Sequence, residues 1–189
     1  MSLHADAVEV LTAYQTGPGQ PADDQQAALR TEFLAYLAEH PDAMERACRP
    51  SHLTGSAIVV DPDGGRVLLN LHGKAKKWLQ FGGHAEAGDA TLADTALRET
   101  REESGIEELY LLPGPVLLDR HPAPCGAEAH LDVMYVAIST PGAHERVSDE
   151  SISLGWFDPA AMPEPTDDAV RRLARAAVDL VRREGAGSR

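Results

Sequence analysis

The sequence predicts a mixed α/β sandwich with a helical segment added at its N-terminus. Three observations lead there. Residues 1–50 hold apolar side chains at helical spacing and have little strand character. From Thr54 onward the pattern changes to short strand-like runs broken by turn signals. One helix interrupts those strands and another follows them, the order expected of helices packed on a mixed sheet. The expected division is a helical extension over residues 1–50 and an α/β domain over residues 51–186.

In the extension, Leu3, Ala7, Val10, Leu11 and Tyr14 share a helical period, and Gly17-Pro18-Gly19-Gln20-Pro21 then breaks the chain. A second helix is predicted from Asp23 to Glu39, with Ala27, Ala28, Phe33, Leu34 and Leu37 on one face. It stops at His40-Pro41, because a residue before proline disfavours helical backbone. A short turn is expected over Asp42–Ala47. No chemical motif lies in this segment, so it should cover the following domain or the surface of a second subunit, and a homodimer is the corresponding expectation.

In the domain, Ala57–Val60 and Val67–Leu71 flank Asp61-Pro62-Asp63-Gly64-Gly65, a hairpin signal with Asp-Gly at its tip. Trp78–Phe81 reads as a short strand ending at Gly82-Gly83. A helix is predicted from Asp89 to Ser104, closed by Gly105 at a left-handed cap. Further strands are expected over Leu109–Leu118, Leu131–Ser139 and Ile152–Phe157. An amphipathic helix over Asp167–Arg183 carries Val170, Leu173, Ala174, Ala177 and Val181.

The chain has 189 residues, 30 acids against 17 lysines and arginines, and a formal charge of −13. A surface so acidic repels polyanions, which argues against a protein that grips DNA or RNA by its phosphates. It still admits a small phosphorylated substrate, since bound divalent cations reverse the potential within one pocket. No apolar run reaches the length of a membrane span, and the first residues lack a basic region followed by an apolar stretch. Cys48 and Cys125 are the only cysteines and read as free thiols of a reducing compartment, which points to the cytoplasm.

The chemistry is concentrated in Gly83-His84-Ala85-Glu86-Ala87-Gly88-Asp89, eight further residues, and Arg98-Glu99-Thr100-Arg101-Glu102-Glu103-Ser104-Gly105-Ile106. On a helix, Glu99, Glu102 and Glu103 crowd one side. Like charges at this spacing cost a helix about 0.2–0.5 kcal/mol per pair, and a hard divalent cation relieves that repulsion. Carboxylates in place of His or Cys select Mg²⁺ or Mn²⁺ over zinc. A solvated Glu-Glu face is the bland alternative. Against it stand Arg98, four residues before Glu102, and Leu92, Ala93, Ala96 and Leu97, an apolar stripe that would hold the helix on a sheet. Gly82-Gly83 brings bare backbone to the start of the loop.

This segment resembles the Nudix box, the signature of hydrolases acting on a nucleoside diphosphate linked to another moiety. Gly83, Arg98, Glu99, Glu102, Glu103, Gly105 and Ile106 match its pattern. Asp89 replaces a glutamate, one extra residue precedes Arg98, and Thr100 replaces an aliphatic residue. The resemblance implies a Nudix α/β/α sandwich with mixed sheet. It further implies that Glu99, Glu102 and Glu103 coordinate Mg²⁺, with Mn²⁺ as substitute and the Gly83 carbonyl as a further donor. Arg98 would orient the carboxylates. Glu99 is the expected general base, and Asp149 or Glu150 on the late loop the alternative.

Around this core, His72, Lys74, Lys76 and Lys77 form a basic patch that could meet phosphate, with Trp78 placed for stacking. The competing reading is a solvated loop and a core tryptophan. His84, inside the box loop, could bond phosphate or loop backbone. His121 and His130 flank Pro122-Ala123-Pro124-Cys125-Gly126 and read as structural. Cys125 reads as a bystander, and Trp156-Phe157 as core.

The expected activity is metal-dependent hydrolysis of a phosphoanhydride in a nucleoside diphosphate derivative or a (d)NTP. Two rivals are an enzyme like the prenyl-diphosphate isomerases, which would need Cys125 as an acid–base group, and a nucleotide-sensing Nudix module without turnover. The intact glutamates favour hydrolysis.

Overall fold

The computed structural model describes residues 1–14 and 24–187; the expected chain break at Gly17–Pro21 lies outside them. The elements are α1 (Leu3–Ala13), α2 (Asp24–Glu39), β1 (Ser51–Val60), β2 (Val67–His72), β3 (Trp78–Leu79), β4 (Phe81–Gly83), α3 (Leu92–Ser104), β5 (Leu109–Leu111), β6 (Leu117–Pro122), β7 (Ala129–Ser139), β8 (Ser151–Phe157) and α4 (Asp168–Gly187). The strands hydrogen-bond in the order β3-β2-β1-β7-β5, with β4 on β1, β6 on β7 and β8 on β2. Two compact units divide the chain, and the long elements β1, β7 and α3 contribute to both.

The first unit comprises Met1–Ser56, Gly83–Ala96 and Pro113–Tyr135. Ser2 caps α1 by accepting the Ala5 N–H, and Ala7 and Leu11 are buried from that helix. The buried face of α2 differs from the expected one: Gln26, Phe33 and Leu37 point inward, while Ala27 and Ala28 are exposed. A buried polar side chain needs its partners. Gln26 has them, since its amide donates to the Leu118 carbonyl at 2.9 Å and accepts the Leu118 N–H at 2.7 Å and the Tyr14 hydroxyl at 2.8 Å.

Within the same unit, β1 is buried along its length, and Gly55 explains how α3 approaches it. A β-carbon there would lie 3.1 Å from the Leu92 carbonyl oxygen and 3.2 Å from the Ala96 nitrogen. The helix starts at Leu92, three residues later than expected. Thr91 and Asp94 cap it reciprocally, side chain to backbone N–H, at 3.0 Å each. Asp89 stays in the preceding loop, where it accepts the Glu86 N–H and the Thr95 hydroxyl. Asp132, fully buried on β7, accepts the Thr54 and Ser56 hydroxyls at 3.0 and 2.7 Å. Hairpin β6–β7 runs in register from Leu117↔Met134 to Pro122↔Ala129.

The second unit comprises Ala57–Gly82, Leu97–Leu112 and Val136–Arg189. The β1–β2 hairpin forms as expected, with Gly64 at φ +68°. Asp61 fastens its turn, accepting the Gly65 and Arg66 N–H groups at 2.7 and 3.1 Å and pairing with the Arg66 guanidinium at 3.0 Å. Strand β2 also pairs with β8 and β3. The single strand expected over Trp78–Phe81 is two, β3 and β4. The run expected over Leu109–Leu118 is likewise divided, because Pro113-Gly114 turns the chain with Gly114 at φ +74°.

Gly105 ends α3 in the left-handed region, φ +69°, as its position predicted; a β-carbon would meet the Arg146 β-carbon at 2.7 Å. Thr100 is fully buried, as an aliphatic residue at its place would be, whereas Ala93 and Leu97 are only half-buried. Val170, Leu173, Ala174 and Ala177 form the inner stripe of α4. Trp156 and Phe157 are half-buried and not core. Trp156 donates its indole N–H to Glu145 and lies under the Arg66 guanidinium. Among the described residues, no helix is long and apolar enough to cross a membrane.

Candidate active site

In the second unit, the last two turns of α3 bring Arg98, Glu99, Glu102 and Glu103 together. Glu103 is only 7% exposed and accepts the Gly82 N–H at 3.1 Å. Burial, and then the charges of Glu99, Glu150 and Glu102, push its carboxyl up to about 8 against the opposing pull of that hydrogen bond. Burial also raises Glu99, although Arg98 opposes it. Arg98 bridges two of the acids, 3.2 Å from Glu99 and 3.1 Å from Glu102. Such a group of carboxylates, one buried among like charges, is suited to a hard cation.

Of the two late-loop acids, Glu150 is the one whose charge reaches both Glu99 and Glu103. Its carbonyl accepts the Gly73 N–H at 2.8 Å, and a β-carbon on Gly73 would press to 2.9 Å from that oxygen. The basic turn is therefore joined to the late loop. Within it, His72 Nδ1 accepts the Lys74 and Ala75 N–H groups, and Lys76 adopts φ +56°. Lys77 pairs with Asp167 at 2.6 Å. Trp78 packs edge-on against Phe157 with ring centroids 4.8 Å apart, and Thr166 donates its hydroxyl to the Trp78 carbonyl. Lys74 and Lys76 remain exposed.

The NUDIX domain family model matches residues 50–177. The chain belongs to the Nudix family. No curated protein matches it, but solved structures do. A NUDIX-family hydrolase from Clostridium perfringens is 26% identical with a TM-score of 0.59, covering 69% of this chain and 97% of its own. A MutT NUDIX hydrolase from Burkholderia pseudomallei is 26% identical with a TM-score of 0.52, covering 67% and 97%. An Ap4A hydrolase from C. elegans, 20% identical with a TM-score of 0.51 over 71% and 95%, shares the fold. This protein is thus an α/β Nudix enzyme, a pyrophosphohydrolase by family.

The opening part of this Nudix box, with Gly83 and His84, falls in the first unit. Gly83 closes β4. His84 meets another histidine: its Nε2 lies 3.1 Å from Nε2 of His52, the second residue of β1. Cys125 joins them, its Sγ 3.5 Å from His52 Nε2 and 3.3 Å from His130 Nε2. Cys125 therefore has imidazole partners that the sequence did not reveal. Burial, then the neighbouring basic side chains, lowers His84 to about 4 and His130 to about 3, so both imidazoles are neutral. Sequence reasoning missed His52 altogether, because no spacing links position 52 to 84, 125 and 130.

Proposed function

We propose that this Nudix enzyme performs Mg²⁺-dependent hydrolysis of a diphosphate linkage in a nucleoside diphosphate derivative or a (d)NTP, releasing a phosphomonoester or pyrophosphate. One observation carries the reading: Glu103, 7% exposed, shares its surroundings with the charges of Glu99, Glu102 and Glu150. The donor set is carboxylate oxygen throughout, which fits Mg²⁺ or Mn²⁺. Glu99, Glu102 and Glu103 would hold the ion. When bound, it polarises the diphosphate and acidifies a water in its shell.

The protein's own groups do the rest. Glu99 accepts the proton of the attacking water as the phosphorus–oxygen bond to the leaving group breaks; burial raises its carboxyl against the opposing pull of Arg98. Arg98 positions Glu99 and Glu102 through its two ion pairs. Lys74 and Lys76, exposed on the basic turn, meet the substrate phosphates, while His72 shapes that turn and Lys77 holds it to Asp167. The free thiols Cys48 and Cys125 suit a reducing, cytoplasmic compartment.

The isomerase alternative needs Cys125 as an acid–base group, and that thiol faces His52 and His130 instead. A sensing module without turnover would have no use for the grouped glutamates. Phosphate release from a panel of nucleotide sugars, dinucleoside polyphosphates and ordinary and oxidised (d)NTPs, with and without Mg²⁺, is the test. Turnover of at least one class only with the metal is expected. Inactivity of folded protein on all of them with Mg²⁺ or Mn²⁺ refutes the reading.

A further inference from the structure

We propose that His52, His84, Cys125 and His130 form a second metal site, a closed tetrahedral site for Zn²⁺, separate in ligands and chemistry from the glutamate cluster. The four ligand atoms, three Nε2 and one Sγ, all lie within 4.8 Å of one another. The three imidazole ring centroids are mutually 5.0 Å apart, so the rings surround a common point. Zinc bonds of about 2.0–2.1 Å to nitrogen and about 2.3 Å to sulfur put neighbouring tetrahedral ligands about 3.3–3.8 Å apart. The separations of 3.1, 3.3 and 3.5 Å sit close to those edges.

The identity of the ion follows from the donors. Imidazole nitrogen and thiolate sulfur select zinc and disfavour Mg²⁺, which takes oxygen. Four protein ligands leave no open position, so the site is structural and not catalytic. The surroundings fit as well. His52 Nδ1 lies 3.4 Å from the Cys48 carbonyl; donating there would leave the Nε2 lone pair directed inward, the arrangement found behind metal-bound histidines. His52 and His130 are both buried. On binding, the Cys125 thiol becomes a thiolate and its proton passes to solvent.

The ligands come from the start of β1, the box loop just after β4, the β6–β7 connection and the start of β7. Zinc would cross-link four segments that are distant in sequence and fix the loop that follows the Nudix box glycine Gly83. The full chain, expressed with zinc and purified without chelator, should contain about one zinc per chain by elemental analysis. Cys125→Ser and His84→Ala should each lose most of it, while Glu103→Gln keeps it, separating this site from the carboxylate cluster. Co²⁺ in place of zinc should give the intense visible absorption of a tetrahedral ion with a thiolate charge-transfer band, absent in Cys125→Ser. Folded wild-type protein with only trace zinc and no such Co²⁺ spectrum overturns the proposal. So does full zinc content in both ligand variants.

Discussion

The carboxylate of Asp6, on the first helix, accepts the backbone N–H of Leu92, the first residue of the box helix, at 2.8 Å. An N-terminal segment without a chemical motif thus supplies a cap to the helix that carries the chemistry. Helix N-termini leave several N–H groups unpaired, and a carboxylate there also meets the positive end of the helix dipole.

Asp6→Ala should destabilise the protein by about 1 kcal/mol, the usual worth of such a cap. Asp6→Asn keeps an acceptor and should recover more than half of the loss. Thermal melts of the three proteins decide it; equal losses in both variants would mean that the side chain acts in some other way.

Glu103→Gln keeps the shape of a carboxyl group that burial already holds high. Its melting temperature without Mg²⁺ should stay near the parental value. Added Mg²⁺ should stabilise the parent and leave the variant unmoved, and turnover should fall about 10²–10⁴-fold. An equal Mg²⁺-induced shift in both proteins contradicts Glu103 as a ligand.

Neutralising Lys74 and Lys76 together should raise KM more than it lowers kcat, because exposed cations on a turn bind the ground state and the transition state alike. Lys77→Met should instead act through the loss of its Asp167 ion pair, lowering stability by less than about 1 kcal/mol. Steady-state kinetics on the best substrate checks the first; an unchanged KM returns the loop to a solvated surface.

Asp61 sets a pH dependence. Burial raises its carboxyl, but the Arg66 and Gly65 N–H groups and the Arg66 guanidinium outweigh it, and the net shift is downward. A depressed carboxylate contributes stability above its unfolded value of about 3.9, and that contribution is lost as pH falls through the folded value. Asp61→Asn should therefore lower the melting temperature at pH 7 and do so progressively less as pH drops below about 4. A penalty constant across that range would rule out the charge as its source.

The box helix, the Asp-Gly hairpin and the Gly105 cap were legible because each is written in neighbouring residues. Their periods and turn chemistry are local. The buried face of α2 was misread because Gln26 replaces an apolar residue there, and its partners Leu118 and Tyr14 become neighbours only through the fold. The start of α3 was misplaced by a plausible cap, Asp89, that the loop uses for Glu86 and Thr95. The cluster of His52, His84, Cys125 and His130 could not be seen at all, since strand pairing and not spacing assembles it. Of the carboxylates, the sequence showed the crowding but not which one is buried; that depends on how α3 lies beside Gly82.

The Gln26 amide answers both the N–H and the C=O of Leu118, as one peptide unit of a neighbouring strand would. Strand β6 is bonded to β7 on one side, and its other margin is thereby occupied at that residue by a helix side chain. Open strand margins invite foreign strands to add and propagate into aggregates. At Leu118, Gln26 fills the place a further strand would take, so that peptide unit offers no partner to one.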